Sequence, residues 1–491
     1  HSVTTAWLEP IAIDVEITTT SGIPHIFIIG MAATTAREAK DRIITALKTI
    51  GIRLKARKTV ISLTPAEIKK SGSTFDLAIA VALLSLYSKI FVPLKKTVFV
   101  GEVSIDGSIH PVENCLGKVV AAKKLGYQQL IVPIDNLRDC VLAKKVTILG
   151  ITHLKQLLNN EQLEKLEENT FKHLQNEKED VHIVGQSEAI RAITIAVAGR
   201  HHLHFIGPPG VGKSKLPLFA AAIQPSLSQT EALEVSLLYS CVQQKYSRVF
   251  EPPFRSPHHS ATTKKIIGYD SQLLPGELSL AHRGILFLDE LPLFSQSTLQ
   301  ALRTPLDQKE LHLQNKNSST ILPCNCLVIA SSNPCPCGFW QTGIKACTCS
   351  IATRKNYLAK LSWPLLERLD LQVFVTALSS IEYEKSAIVH SSRAIAKTVL
   401  HARKIQSTRY QDHSFFNADL KLSSISNYCT LEKEAHHFLQ KAVATYNVST
   451  RGYQKIIGVA QTICDLEDSP VITVRHCAEA LQYRPTPLIS Q

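Results

Sequence analysis

Apolar and polar positions change period several times along the chain, and each change predicts an element. Ile11, Ile13, Val15 and Ile17 alternate with their neighbours, the period-2 mark of a half-buried strand. HIFIIG, from His25 to Gly30, predicts a second strand, and the helical stretch after it closes at Gly51. Thr59 to Leu63 and Thr97 to Ile109 are strand-like, the latter broken by Asp106-Gly107, a hairpin dipeptide. A helix from about Glu113 stops at Gly126, and Leu130 to Pro133 is again a strand. This order reads as mixed α/β. From Leu154 to Asp180 the pattern dissolves into Glu, Lys, Gln and Asn, which predicts a solvated helical linker. A long helix then leads to the apolar strand Leu203 to Ile206, and two more apolar runs follow, Gly284 to Leu288 and Cys326 to Ala330. Ser379 to Gln491 is helix-rich and basic. The predicted divisions are 1–158, a charged linker at 159–180, a core at 181–378 and a helical region at 379–491.

Composition narrows the classes. The 491 residues, 45% of them apolar, give room for about three globular domains. Lys and Arg number 54 against 41 Asp and Glu, and the net charge of +13 favours a polyanionic partner such as nucleic acid. The longest apolar run, Leu77 to Tyr87, is interrupted by Ser85 and too short for a bilayer, so no membrane partner is expected. HSVTTAWLEP shows no basic region followed by an apolar core, which predicts a cytoplasmic chain. Twelve Cys, several in close pairs, point in that setting to metal ligation rather than disulfides.

The strongest chemical signal follows the Leu203 strand. Gly207-Pro208-Pro209-Gly210-Val211-Gly212-Lys213-Ser214 matches G-x-x-x-x-G-K-[ST] at every defined position. Glycines let backbone N–H groups turn onto phosphates, Lys213 reaches the outer phosphates, and Ser214 ligates Mg²⁺. Gly284 to Leu288 ends in Asp289 and Glu290. These carboxylates suit holding Mg²⁺ through water and polarising the attacking water, so ATP hydrolysis is expected. The Cys326 strand delivers Asn333, a γ-phosphate sensor candidate. Pro217 lies just inside the helix after the loop, tolerable in a first turn and costly farther in.

Cys335-x-Cys337 and Cys347-x-Cys349 can converge on a tetrahedral Zn²⁺, within a Cys-rich loop at 335–349. Free thiols are the alternative. Cys324 and Cys326 form a third pair, either able to replace one of the four. His258-His259 is not read as a metal pair, because adjacent side chains point apart on a helix or strand.

PFRSPHHSAT, LPGELSLAHRGILFLDELPLF, LRTPLD and NPCPCG, in order between Pro253 and Gly338, resemble the ComM/YifB family of magnesium-chelatase-like AAA+ ATPases. PAEIKKSGSTFDLAIAVALL, VGEVSIDGSIHPV and LIVPIDN resemble that family's N-terminal domain, which has the Lon-protease fold. The resemblance implies a Lon- or ribosomal-S5-like α+β domain, a parallel-sheet AAA+ core and a C-terminal helical lid. It places Thr74 and Lys118 at the Lon nucleophile and base positions, but Phe75 and Asp76 follow where small residues are expected, so no peptidase is predicted. Gly185 and Gln186 match the turn that contacts the adenine side of the nucleotide. Arg368, in LSWPLLERLD with Trp363 where Gly is usual, matches the arginine entering a neighbour's site, and Arg451, in STRGY, the second sensor. Lys455, Gly458 and Gln461 stand where relatives usually carry Arg, which puts coupling in question. The function implied is an ATP-driven hexameric DNA helicase or branch-migration motor in recombination or natural transformation. A chelatase-like or remodelling ATPase subunit and a degenerate nucleotide-binding scaffold are the alternatives. Lys309 to Thr320 sits where related helicases carry a pore hairpin, with Lys309 and Lys316 offered to DNA phosphates.

Overall fold

The computed structural model describes residues 1–6, 9–68, 70, 72–143, 146–159, 161–166, 179–242, 250–316, 318–377 and 389–485. Two compact units emerge, His1–Asn176 with Gln229–Phe250, and Glu177–Ser228 with Glu251–Gln491.

The first unit holds two four-stranded sheets. One runs Ser2–Ala6, Glu9–Thr20, Lys58–Thr64, His25–Ile29, and the other Glu164–Lys165, Thr147–Ile151, Gln129–Pro133, Thr97–Phe99. The alternation at Ile11 to Ile17 lies on Glu9–Thr20, which pairs antiparallel with Lys58–Thr64 and turns Ile13 into the core. Helix Ala33–Thr49 gives one face to that core through Ile43 and Leu47. Helix Asp76–Leu84 is buried nearly all round, as its unbroken apolar sequence requires. The Asp106-Gly107 hairpin forms between Glu102–Val103 and Ile109–His110, with Gly107 at φ +92°.

Two features depart from the periodicity reading. Leu154–Leu157 is a 3₁₀ turn with both leucines buried and Glu164–Lys165 adds a strand beside Leu149 and Gly150, so this stretch belongs to the first unit rather than to a solvated helix. Two leucines entering a core outweigh the polar residues around them. Residues 160 and 167–178 of the expected linker lie outside the described residues. Helix Gln229–Cys241 follows the phosphate-loop region in sequence yet belongs to the first unit. Its Leu233 and Leu237 pack against the cluster around Leu116 and Val119, and the Ser240 hydroxyl donates to Asn114 Oδ1 at 2.8 Å.

The second unit is built on a five-stranded, all-parallel sheet. Its order is Phe254–Arg255, Ile285–Leu288, Leu327–Ser332, Leu203–Ile206, Leu371–Phe374. In chain order this is 2-3-4-1-5, with the phosphate-loop strand between the fourth and fifth. Helix Ser187–Gly199 is buried over most of its surface. The C-terminal helices Ser392–Tyr410 and Thr450–Leu466 share its hydrophobic core with the sheet. The basic helix expected around 393–406 is divided in role. Arg403 donates to the Val197 carbonyl and Arg409 pairs with buried Asp465, while Lys397 and Lys404 face solvent.

Candidate nucleotide site

The Leu203–Ile206 strand is fully buried, and its exit aims Gly207 to Ser214 off the carboxyl end of the sheet. Ligands of open parallel sheets bind outside the carboxyl ends of the strands. Gly210 and Gly212 adopt φ +83° and +89°, and nothing lies within 4 Å of where a Cβ would project, leaving an open cradle. Lys213 Nζ donates to the Gly207 and Pro208 carbonyls at 2.6 and 2.7 Å and to Asn333 Oδ1 at 2.9 Å. Burial lowers the pKa of this ammonium, and the nearby Asp289 and Glu290 charges oppose that shift. Ser214 is exposed. Pro217 is in the first turn of helix Leu216–Ile223, where its missing N–H leaves no bond unmade.

The Ile285–Leu288 strand presents Asp289 and Glu290 beside the tip of Leu327–Ser332. The Ser331 hydroxyl donates to Asp289 Oδ1, and the Glu290 N–H reaches Asp289 Oδ1 at 3.1 Å. Glu290 adopts φ +53°, a left-handed conformation that costs a non-glycine residue on the order of 1 kcal/mol. Its carboxylate faces His259 Nδ1 at 3.6 Å. That contact has no sequence signature, since it joins a loop after the second strand to the end of the third. The His258 and His259 rings lie 4.0 Å apart, because the loop carrying them is neither helix nor strand.

Arg368 and Arg451 are brought together elsewhere in the same unit. Both guanidiniums bind the carboxylate of Asp307, and Arg368 Nε also donates to the Arg303 carbonyl at 2.8 Å. Burial pushes the Asp307 carboxyl up, but the two arginines together outweigh it and hold it below its ordinary value. They border a cavity of ≈770 Å³ that also meets Lys309, Lys421 and Lys455. Lys455 pairs with Asp370 at 2.6 Å, both largely buried, which ties the Arg451 helix to the Arg368 segment. Among the described residues no hydrogen bond or ion pair joins either arginine to Lys213, Asp289 or Glu290.

Three family models cover most of the chain. They are "Subunit ChlI of Mg-chelatase" over 15–136, "Magnesium chelatase, subunit ChlI" over 180–383 and "Magnesium chelatase, subunit ChlI C-terminal" over 389–484. The uncharacterized protein YifB of Escherichia coli is 35% identical over 97% of this chain and 94% of its own length. Competence protein ComM of Haemophilus influenzae is 33% identical over 96% and 94% respectively. The chain belongs to the ComM/YifB family. It thereby joins the magnesium-chelatase-like AAA+ ATPases, in agreement with the parallel sheet. A Lon protease of Trichlorobacter lovleyi matches at 32% over 18% of the chain and 12% of its own length.

Three further groups of candidate residues in this ComM/YifB chain have a defined setting. In the first unit, the Lys118 ammonium donates to the Glu113 carbonyl and its pKa is lowered by burial, while Asp76 forms a 2.8 Å ion pair with Arg42. No hydrogen bond links the Thr74 hydroxyl to Lys118 among the described residues. Gln186, at φ +56°, donates to the Thr376 carbonyl at 2.7 Å. The expected hairpin forms between Glu310–Gln314 and Ser319–Pro323, and exposed Lys316 lies at its turn. Lys309 does not reach that tip. It sits at the base, pairs with Asp419, and is pushed down to about 8 by burial.

The Sγ atoms of Cys335, Cys337, Cys347 and Cys349 all lie within 4.8 Å of one another, the only such group of metal-capable side chains among the described residues. Cys324 and Cys326 are excluded from it. They are core thiols, and burial pushes Cys326 up to about 12.

Proposed function

We propose that the chain is the subunit of a ring-forming ATPase that uses hydrolysis to move along DNA. The observation that carries this reading is the convergence of Lys213, Asn333, Asp289 and Ser331 at the carboxyl end of the sheet's three central strands, with Arg368 and Arg451 gathered apart on Asp307. The open glycine cradle and the partly desolvated ammonium fit a nucleoside triphosphate. Gly207 to Ser214 hold its phosphates, Ser214 and Asp289 take Mg²⁺, and Glu290 orients and polarises the attacking water. The metal supplies charge neutralisation on the phosphates when bound. His259 holds the Glu290 carboxylate in place. Arg368 and Arg451 serve a neighbouring copy's nucleotide, which makes assembly, most simply a hexamer, a condition of turnover. The four cysteines supply a structural Zn²⁺ site. The first unit acts as a non-peptidase domain.

DNA enters from three supports, the net charge of +13, the exposed Lys316 hairpin and the 33% identity to a competence protein. The chelatase reading is favoured by one observation, that all three family models carry that subunit's description. ATPase rate with and without single-stranded and branched DNA, alongside the mass of the ATP-bound assembly, separates the two. A DNA-stimulated rate with strand displacement supports the motor. A rate indifferent to DNA, with metal insertion into a porphyrin, replaces it with the chelatase.

A further inference from the structure

The stretch from Asn333 to Cys349 contains no helix or strand, an unusual length of chain to leave without its own structure inside a compact domain. Something must hold it. Cys335 Sγ lies 3.3 Å from Cys337 Sγ and 3.7 Å from Cys347 Sγ, and Cys337 and Cys347 are 3.6 Å apart. Four sulfurs at ~2.3 Å from a tetrahedral Zn²⁺ are separated by about 3.8 Å, so the cluster nearly has the edges such an ion requires. The Cys337 N–H points at Cys349 Sγ at 3.4 Å. Four thiolates around Zn²⁺ leave a net negative site, and Arg354, seated over the Trp340 ring at 5.1 Å, brings its guanidinium to 3.9 Å from Cys347 Sγ.

The same loop touches the phosphate loop twice. Asn333, at its start, binds Lys213. Gly338, between the two cysteine pairs at φ +85°, lies so close to Pro209 that an added Cβ would stand 2.5 Å from Pro209 Cδ. Trp340 to Thr342 then wall a cavity shared with Gly207 and Pro208. We propose that Cys335, Cys337, Cys347 and Cys349 hold one Zn²⁺ and that this metal-stapled loop braces the phosphate loop, so the metal governs nucleotide affinity without touching the nucleotide. The brace rests on the reading of Gly207 to Ser214 as the ATP site. Without the staple, the Gly338 and Asn333 contacts lose their anchor and the phosphate loop pays the ordering entropy itself on binding.

The test measures zinc content by mass spectrometry and affinity for a fluorescent ATP analogue with Mg²⁺, on the reduced full chain. One zinc per chain is expected. Cys347→Ser should lose it and bind the analogue about tenfold more weakly. Gly338→Ala should keep its zinc, which reports an intact knuckle, and still weaken binding severalfold. Wild-type chain purified without zinc overturns the metal site. Zinc lost in Cys347→Ser, or kept in Gly338→Ala, with wild-type affinity overturns the brace. Analogue binding unchanged in Lys213→Ala instead overturns the ATP-site reading, whatever the zinc content.

Discussion

Lys213 and the Arg368–Arg451 pair lie in one unit and carry the charges that the proposed function assigns to a triphosphate, yet they are held in opposite ways. Lys213 rests on two backbone carbonyls and an amide oxygen, all neutral. A phosphate replaces such partners with gain, since a charge-assisted bond is about twice as strong as a neutral one. Arg368 and Arg451 rest on a carboxylate, Asp307, which a phosphate must outcompete. The phosphate loop is therefore ready for its ligand within one chain, whereas the arginines are latched until something displaces Asp307. Under the proposed function, a neighbouring copy's nucleotide is the partner that would displace Asp307.

Four perturbations break or sharpen that contrast. Lys213→Ala is expected to abolish turnover, a fall of more than about 100-fold in kcat/KM, because a methyl group leaves the phosphates without their nearest cation. Wild-type ATPase rates in that variant would remove the loop from the comparison. Arg368→Ala should lower kcat by about 10³ while analogue binding stays within a fewfold. Mixing Arg368→Ala with Lys213→Ala chains then decides the geometry. Each supplies what the other lacks, so activity should return in mixtures, and none would return if the arginine served its own chain. Glu290→Gln should retain binding and slow hydrolysis by roughly 100-fold, the lower end of a general-base contribution. Rapid single-turnover hydrolysis would show that another group polarises the water.

The smallest effect belongs to the latch. Asp307→Asn should shift the protein concentration at half-maximal ATPase activity severalfold downward, since neutral Asn holds the arginines less tightly. The pH dependence has a definite sign. Asp307 has a lowered folded-state pKa, so its ion pairs contribute stability above the ordinary carboxylate value of about 4 and lose it as pH falls through the folded value. The melting temperatures of wild type and Asp307→Asn should accordingly converge below that range. A gap independent of pH would assign Asp307 a purely steric role.

Much of the candidate nucleotide site was legible because its elements are local. A parallel strand buried on both faces reads as an apolar run, and Leu203 to Ile206 and Ile285 to Leu288 are such runs ending in the expected chemistry. Pro217 shows where legibility stops. A proline there is harmless in a first turn and disruptive farther in, and the late start of the helix at Leu216 decides for the first. Lys455 pairs with Asp370, a partner distant in the chain that no local pattern names. The basic C-terminal helix gave no warning that Arg403 and Arg409 turn inward, because a charge on a helix is solvated unless a distant acceptor lies opposite.

By itself the sequence determined the family, the phosphate loop, the two carboxylates and the cysteine spacing, since each is a short pattern whose chemistry depends on neighbours in the chain. Tertiary structure alone decided that Asp307 gathers both arginines, that His259 faces Glu290, that Gly338 abuts Pro209, and that helix Gln229–Cys241 leaves its sequence neighbours for the first unit. Each of these joins residues distant in the chain. Such contacts depend on where the sheet and its loops converge, and no periodicity or motif records that.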